Sequence, residues 1–137
     1  MYKGLTQNFL FKKIIFKTLK MKKIYHLSTC DTCQKILKQL QPLDDYQLQD
    51  IKTDAITESQ LTEMHKLTES YEALFSKRAR LFREKGLHEK SLSESDYKNL
   101  ILEHYTFLKR PVIISGEKIF IGNSKKVVSA AQEYIHL

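Results

Sequence analysis

Two cysteines three residues apart carry the strongest chemical signal in the sequence. Cys30 and Cys33 form a Cys-x-x-Cys pair and are the only cysteines of the chain. Thiol chemistry needs a thiolate, and the unpaired N–H groups at a helix N-terminus favour that form. We therefore expect Cys30 to be the nucleophile. Cys33, one helical turn later, is then placed to attack an adduct at Cys30 and release the product as an internal disulfide forms.

Two other interpretations of the cysteine pair stay open. A zinc site needs four ligands, which usually include a second Cys or His pair at close spacing. The five histidines show no such pairing: His26, His65, His88, His104 and His136. Two inert buried thiols are the other alternative, and that interpretation leaves the placement at a helix start unused.

The elements around the cysteines are predicted by hydrophobic periodicity. Residues 22–27 are typical of a short first strand, and residues 34–40 place their apolar side chains at helical spacing. Polar residues 28–31 stand where a helix N-cap is expected, which puts Cys30 at the helix N-terminus. Pro42 closes this helix, and the alternation in residues 46–51 indicates a half-buried second strand.

The middle of the chain, roughly residues 57–108, is predicted to be helical. Thr57–Gln60 and Ser91–Glu94 are capping-box patterns that open two helices, and Gly86 ends a short helix between them. After Pro111 the period changes again: residues 111–121 indicate a hairpin, and a last helix begins after residues 122–124. The order β-α-β, helical block, β-β-α predicts an α/β fold. Its thioredoxin-like (glutaredoxin-like) core has a mixed sheet of about four strands, interrupted by a helical insertion.

Arg110 and Pro111 form a second candidate constellation. In a thioredoxin-like core, a cis-proline commonly stands opposite the start of the cysteine helix, and a cis bond before proline costs only about 0.5–1 kcal/mol. A cis Pro111 would hold Arg110 beside Cys30, where a guanidinium stabilises a thiolate and grips an oxyanion with two hydrogen bonds. The alternative is a surface arginine ahead of an edge strand.

Composition bounds the class of protein. The chain of 137 residues carries 23 Lys and Arg against 16 Asp and Glu, a formal net charge of +7. Residues 1–20 contain five of the lysines and no acidic residue, so the remaining domain, residues 21–137, is nearly balanced and has no strong nucleic-acid footprint. We expect residues 1–20 to be a disordered or dispensable basic extension, with a membrane-surface or nucleic-acid arm as the alternative.

No apolar run approaches the roughly 20 residues of a membrane helix, and two cysteines make no secreted disulfide framework. We therefore expect one cytoplasmic domain.

Three segments, taken in order, resemble the arsenate reductase ArsC family, which also includes the Spx-type regulators. They are residues 25–33, residues 74–79, and residues 108–111 followed by Ile121-Gly122. The resemblance covers about residues 22–135 and implies a thioredoxin-like fold with a helical insertion. For glutaredoxin-coupled arsenate reductases it implies attack of a cysteine on arsenate, then resolution by glutathione and glutaredoxin. Cys30 matches the family nucleophile, and Arg110 corresponds to one arginine of the oxyanion-binding set.

The sequence also departs from the family pattern. Ser76 and Gly122 stand where glutathione-dependent reductases carry arginines, and Arg78 is the nearby residue able to replace the first of them. Cys33 and the Ser-x-Arg pattern are closer to Spx-type and related members, in which such a pair is a redox switch in a protein that binds RNA polymerase.

These observations predict a set of site residues and partners. The predicted catalytic residues are Cys30, Cys33 and Arg110, and the predicted substrate-binding residues are Arg110, Arg78, Ser76, Thr29, Asp31 and Thr32. We expect no metal and no bound cofactor, an external thiol reductant (glutaredoxin with glutathione, or thioredoxin), and a monomer. We expect the substrate to be a small oxyanion or a protein disulfide. The alternative is a redox-sensing regulator that binds the RNA polymerase alpha subunit.

Overall fold

The computed structural model describes residues 21–137, and the predicted basic extension, residues 1–20, lies outside them. Four strands form one sheet in the order β2-β1-β3-β4. They are β1 (Lys22–His26), β2 (Gln47–Asp50), β3 (Val112–Ser115) and β4 (Lys118–Ile121). β1 and β2 are parallel, whereas β1 with β3 and β3 with β4 are antiparallel, so the sheet is mixed as the sequence predicts.

The helices follow the predicted order around this sheet. They are α1 (Asp31–Leu40), α2 (Glu58–Thr68), α3 (Tyr71–Leu74), α4 (Arg80–Glu84), α5 (Glu94–Glu103) and α6 (Lys125–Ile135), with 3₁₀ turns at Leu87–Glu89 and Tyr105–Phe107. Helices α2 to α5 form the insertion between β2 and β3. Among residues 21–137, no helix combines the length and the apolar character that crossing a bilayer requires.

Alternating side chains of the central strands bury two separate cores. Ile24 and Ile113, paired across β1 and β3, face helices α1 and α6 in a core that includes Leu40 and Val128. Because successive side chains of a strand point to opposite faces, the next residue, Tyr25, faces the other way. It packs in a core that the insertion helices complete with these buried side chains: Leu61, Met64, Phe75, Tyr97, Ile101 and Phe107. The insertion therefore covers one face of the sheet.

The helix ends show where local sequence decides the structure. Thr57 caps α2 in the predicted box with Gln60, each accepting a hydrogen bond from the other's backbone N–H. The second predicted box is wrong by two residues: the cap of α5 is Ser93, reciprocated by Asp96. Asp96 accepts the Ser93 N–H as a glutamate would, and the later start leaves Tyr97 in the first turn, buried in the core.

Candidate functional site

Cys30 is the N-cap residue of α1, where the sequence places it. Its backbone is extended (φ −100°, ψ 109°), and its N–H donates to the Leu27 carbonyl at 3.1 Å. The thiol is free and half-buried. Because the first N–H groups of a helix lack intrahelical partners, this end of α1 carries partial positive charge beside the sulfur. The Cys30 sulfur therefore lies at the positive end of the α1 dipole.

Cys33, in the first turn of α1, is a buried free thiol with only 1% of its surface exposed. Burial raises the pKa of its thiol above the ordinary value, while a hydrogen bond from the Leu27 backbone and the positive charge of Arg110 act in the opposite direction. Burial dominates, so Cys33 is protonated at neutral pH. A reagent in solution meets Cys30 and not Cys33.

Side-chain hydrogen bonds fix the loop that carries the cysteines. The Gln34 amide donates to the Leu27 carbonyl at 2.9 Å and to Nδ1 of His26 at 3.3 Å. In the turn before Cys30, the Ser28 hydroxyl and backbone N–H both donate to the carboxylate of Asp50 at the end of β2. The ends of β1 and β2 are thereby joined directly before Cys30.

Arg110 reaches the same region from the other side of the fold. The Arg110–Pro111 peptide bond is cis. Nη1 of Arg110 donates to the carbonyls of Thr106 at 3.1 Å and Leu108 at 3.3 Å. Since a guanidinium has five N–H donors, the others remain for a ligand, and they bond no other residue of the described range. Arg110 is thus held by backbone and still able to grip an anion.

A two-bond bridge attaches the insertion to this arginine. Ser76 donates its N–H to the Phe107 carbonyl at 2.7 Å, and Lys109 donates its N–H to the Leu74 carbonyl at 2.8 Å. These bonds form an isolated antiparallel bridge between Phe75 and Leu108. The bridge brings residues 76–78 next to residues 109–110.

The two segments and the start of α1 enclose a cleft of about 780 Å³. Its lining residues are Cys30, Glu72, Phe75, Ser76, Lys77, Arg78, Lys109, Arg110, Ile121, Gly122, Asn123, Ser124 and Val127. The cleft therefore brings together four predicted site residues, namely Cys30, Ser76, Arg78 and Arg110. Three other predicted substrate-binding residues, Thr29, Asp31 and Thr32, are exposed and are not among the lining residues.

Sequence reasoning missed two lysines of the cleft, Lys77 and Lys109. Gly122 has a φ of 91°, and a Cβ built on it would lie 4.0 Å from Cδ of Lys109. The Lys109 side chain thus passes beside the position where the resemblance implies a family arginine, and Lys77 directly follows Ser76, the other such position. Their adjacency to Arg110 and Ser76 was the only signal in the sequence.

Metal ligands do not gather in the described part of the chain. Across residues 21–137, no group of three His, Cys, Asp or Glu side chains is placed to hold a metal ion. The cysteine pair therefore has no further protein ligands there.

Comparisons with known proteins agree with this architecture. The model of the ArsC family matches residues 25–131. The chain is 27% identical over 101 residues to the global transcriptional regulator Spx 2 of Bacillus anthracis, covering 72% of this chain and 77% of that protein.

Solved structures with a similar fold include the following two. An ArsC family related protein from Bacteroides fragilis superposes with a TM-score of 0.67 at 21% identity, over 80% of this chain and 96% of that one. A possible arsenate reductase from Streptococcus mutans UA159 gives 0.63 at 25% identity, over 77% and 92%. The fold is thus the thioredoxin-like fold of these proteins, interrupted by a helical insertion. Because the ArsC family model matches most of the described residues, the chain belongs to the ArsC family.

Proposed function

We propose that the protein is a thiol oxidoreductase in which Cys30 is the nucleophile, Cys33 the resolving thiol and Arg110 the residue that stabilises developing negative charge. One observation carries this proposal: Cys30 opens into a cleft beside Arg110, while Cys33 is buried one turn behind it. This arrangement separates the thiol that meets substrate from the thiol that can only meet an adduct at Cys30.

With a disulfide as substrate, the reaction runs in two exchange steps. The Cys30 thiolate bonds to one substrate sulfur, and the other substrate sulfur leaves as a thiolate that takes up a proton. Cys33 then loses its proton and attacks Sγ of Cys30, which releases the remaining substrate thiol and forms the Cys30–Cys33 disulfide. The substrate gains two electrons that the cysteine pair loses.

With arsenate, the same two sulfurs suffice. The Cys30 thiolate forms a sulfur–arsenic bond as one arsenate oxygen takes up protons and leaves as water. The Cys33 thiolate then attacks Sγ of Cys30, the sulfur–arsenic bond breaks with its electron pair on arsenic, and arsenite departs as the Cys30–Cys33 disulfide forms. The anion needs positive charge around it. Arg110 matches one of the family's oxyanion-binding arginines, and this chain retains it. Lys109 beside Gly122, and Lys77 with Arg78 beside Ser76, support arsenate binding in place of the two missing arginines.

The oxidised pair needs an external reductant to complete a cycle. Glutaredoxin with glutathione, or thioredoxin, supplies two electrons as a dithiol or a pair of thiols. The test is steady-state turnover of arsenate and of a model disulfide with each reductant, compared with Cys30→Ser. We expect turnover that Cys30→Ser abolishes. Absence of turnover with both substrates and both reductants would overturn the proposal.

A second candidate function follows from the identity with the Bacillus anthracis regulator. In that case, oxidation of Cys30 and Cys33 would reshape the first turn of α1, and the altered surface would bind the RNA polymerase alpha subunit. The test is binding of purified alpha subunit to the protein in dithiol and disulfide forms, measured by calorimetry. A redox-dependent affinity supports this function, and no binding by either form removes it.

A further inference from the structure

The cleft beside Cys30 has more room than one tetrahedral oxyanion needs. Its volume of about 780 Å³ is within the range of about 300–1,000 Å³ typical of sites that enclose ligands of drug size. Arg110 and Cys30 account for only a part of its wall. The rest of the lining is available to a longer substrate.

The remaining wall is strongly basic. Lys77, Arg78 and Lys109 line it with Arg110, and Glu72 is the one carboxylate among the lining residues. Glu72 is already paired with Lys77 at 3.1 Å. None of the ion pairs among residues 21–137 involves Arg78, Lys109 or Arg110. Most of the positive charge of the cleft is therefore uncompensated by the described part of the protein.

Neighbouring elements extend the positive charge beyond the cleft. Ser124 lies on its wall and caps α6, whose first turn has no acidic residue and begins with Lys125 and Lys126. A helix N-terminus adds partial positive charge to that wall. Along the chain, α4 begins two residues after Arg78 and carries exposed Arg80 and Arg83. Basic residues therefore follow two of the segments that line the cleft, directly along the chain.

Apolar side chains complete the lining. Half-buried Ile121 and Val127 line the same wall as the basic residues. A small inorganic anion makes no use of these groups, whereas a peptide can place its own apolar side chains against them. Apolar contacts fix position, and complementary charge selects the partner and speeds the encounter.

We propose that the cleft takes protein disulfides whose neighbouring residues are acidic, with Arg78 and Lys109 selecting the flanking carboxylates while Cys30 attacks the disulfide. This inference rests on the proposed roles of Cys30 and Cys33. The exchange steps are those given above: the substrate disulfide is reduced to two thiols, and the cysteine pair is oxidised to a disulfide. An added dithiol reductant returns the pair to its starting form.

The experiment uses three synthetic peptides that each contain one internal disulfide and differ only in flanking glutamates, glutamines or lysines. Each is mixed with the reduced full-length protein, and the rate of Cys30–Cys33 disulfide formation is followed by intact mass after acid quenching. At low salt we expect the glutamate peptide to react roughly tenfold faster than the glutamine peptide, and the lysine peptide to be slowest. Salt at about 0.15 M narrows this difference because it screens exposed charges.

The double variant Arg78→Gln, Lys109→Gln identifies the residues responsible. It should lower the ratio of the glutamate-peptide rate to the glutamine-peptide rate towards one. The matched control is Lys90→Gln, Lys118→Gln, which removes the same charge from two exposed lysines that do not line the cleft. The control should keep the wild-type ratio.

Other outcomes separate the inference from the proposed function. Equal rates for the three peptides, or a ratio that both double variants change alike, overturn the acidic-substrate inference and leave the cysteine chemistry standing. If no peptide oxidises the cysteine pair, the inference fails. The small neutral disulfide 4,4′-dithiodipyridine then tests whether the proposed function of the pair stands. Oxidation of the pair by this reagent keeps the proposed function, and its failure removes that function too.

Discussion

Ser28 and Asp50 join the ends of two parallel strands immediately before the half-buried Cys30. Both the hydroxyl and the backbone N–H of Ser28 donate to the Asp50 carboxylate, which also accepts the Lys52 N–H. The loop between β1 and α1 is therefore fixed by a charged acceptor on β2. The position of Cys30 depends on a residue that is distant from it in sequence.

Replacing Asp50 by Asn should destabilise the fold modestly. The amide keeps one acceptor oxygen but loses the charge that strengthens these hydrogen bonds, so we expect the free energy of unfolding to fall by about 1 kcal/mol in urea titrations. Asp54→Asn is the matched control, because Asp54 is exposed in the turn that follows β2 and its side chain makes no hydrogen bond to residues 21–137. Equal effects of the two substitutions would contradict the role given to Asp50.

The same carboxylate predicts a pH dependence of stability. The hydrogen bond from the Ser28 hydroxyl is the largest cause that lowers the pKa of Asp50 below its ordinary value. A lowered pKa in the folded state means that the stabilisation is complete above the unfolded value of about 3.9 and is lost as pH falls through the folded value. The advantage of wild type over Asp50→Asn should be equal at about pH 7 and about pH 5.5, then shrink towards about pH 3. An advantage that grows on acidification would contradict this assignment.

The two cysteines should differ sharply in their reaction with iodoacetamide. Cys33 is buried, and burial raises the pKa of its thiol, so both access and the thiolate fraction are low. Peptide mapping after brief alkylation of the reduced protein should find the label at Cys30 alone, and at both cysteines once urea unfolds the chain. Equal labelling of the folded protein would show that Cys33 is accessible.

Arg110 should favour anionic reagents at Cys30. Iodoacetate and iodoacetamide differ by one negative charge, so the ratio of their alkylation rates reports the local positive charge. Arg110→Gln should lower this ratio roughly fivefold, which corresponds to about 1 kcal/mol of interaction in a partly solvated cleft. Lys118→Gln, an exposed site away from the cleft, should leave it unchanged. An unaltered ratio in Arg110→Gln would place the guanidinium too far from the sulfur to act.

Local patterns were sufficient for most of the fold. Apolar residues that change from alternating to helical spacing predict β1, α1 and β2. Cap residues such as Thr57 and Ser124 predict where helices start. The box at residues 91–94 failed because two serines offer competing caps, and burial of Tyr97 favours the later one. A local pattern cannot weigh that tertiary contact.

The site was predictable only where sequence neighbours carry it. Cys30 at a helix start and Arg110 before Pro111 follow from local signals. The participation of Lys77 and Lys109 does not, because it depends on the bridge between Phe75 and Leu108, which joins segments that are distant in sequence. Thr29, Asp31 and Thr32 are next to the cysteines along the chain, yet they do not line the cleft.

The most direct test of the cysteine mechanism is the intact mass of the protein after exposure to arsenate, without reductant and then with glutaredoxin and glutathione or with thioredoxin. We predict a Cys30–Cys33 disulfide in wild type that each competent reductant reverses, a persistent adduct in Cys33→Ser, and no change in Cys30→Ser. If wild type forms neither a thiol–arsenic adduct nor a disulfide, with arsenate or with a model disulfide, Cys30 is not the nucleophile and the mechanism is contradicted.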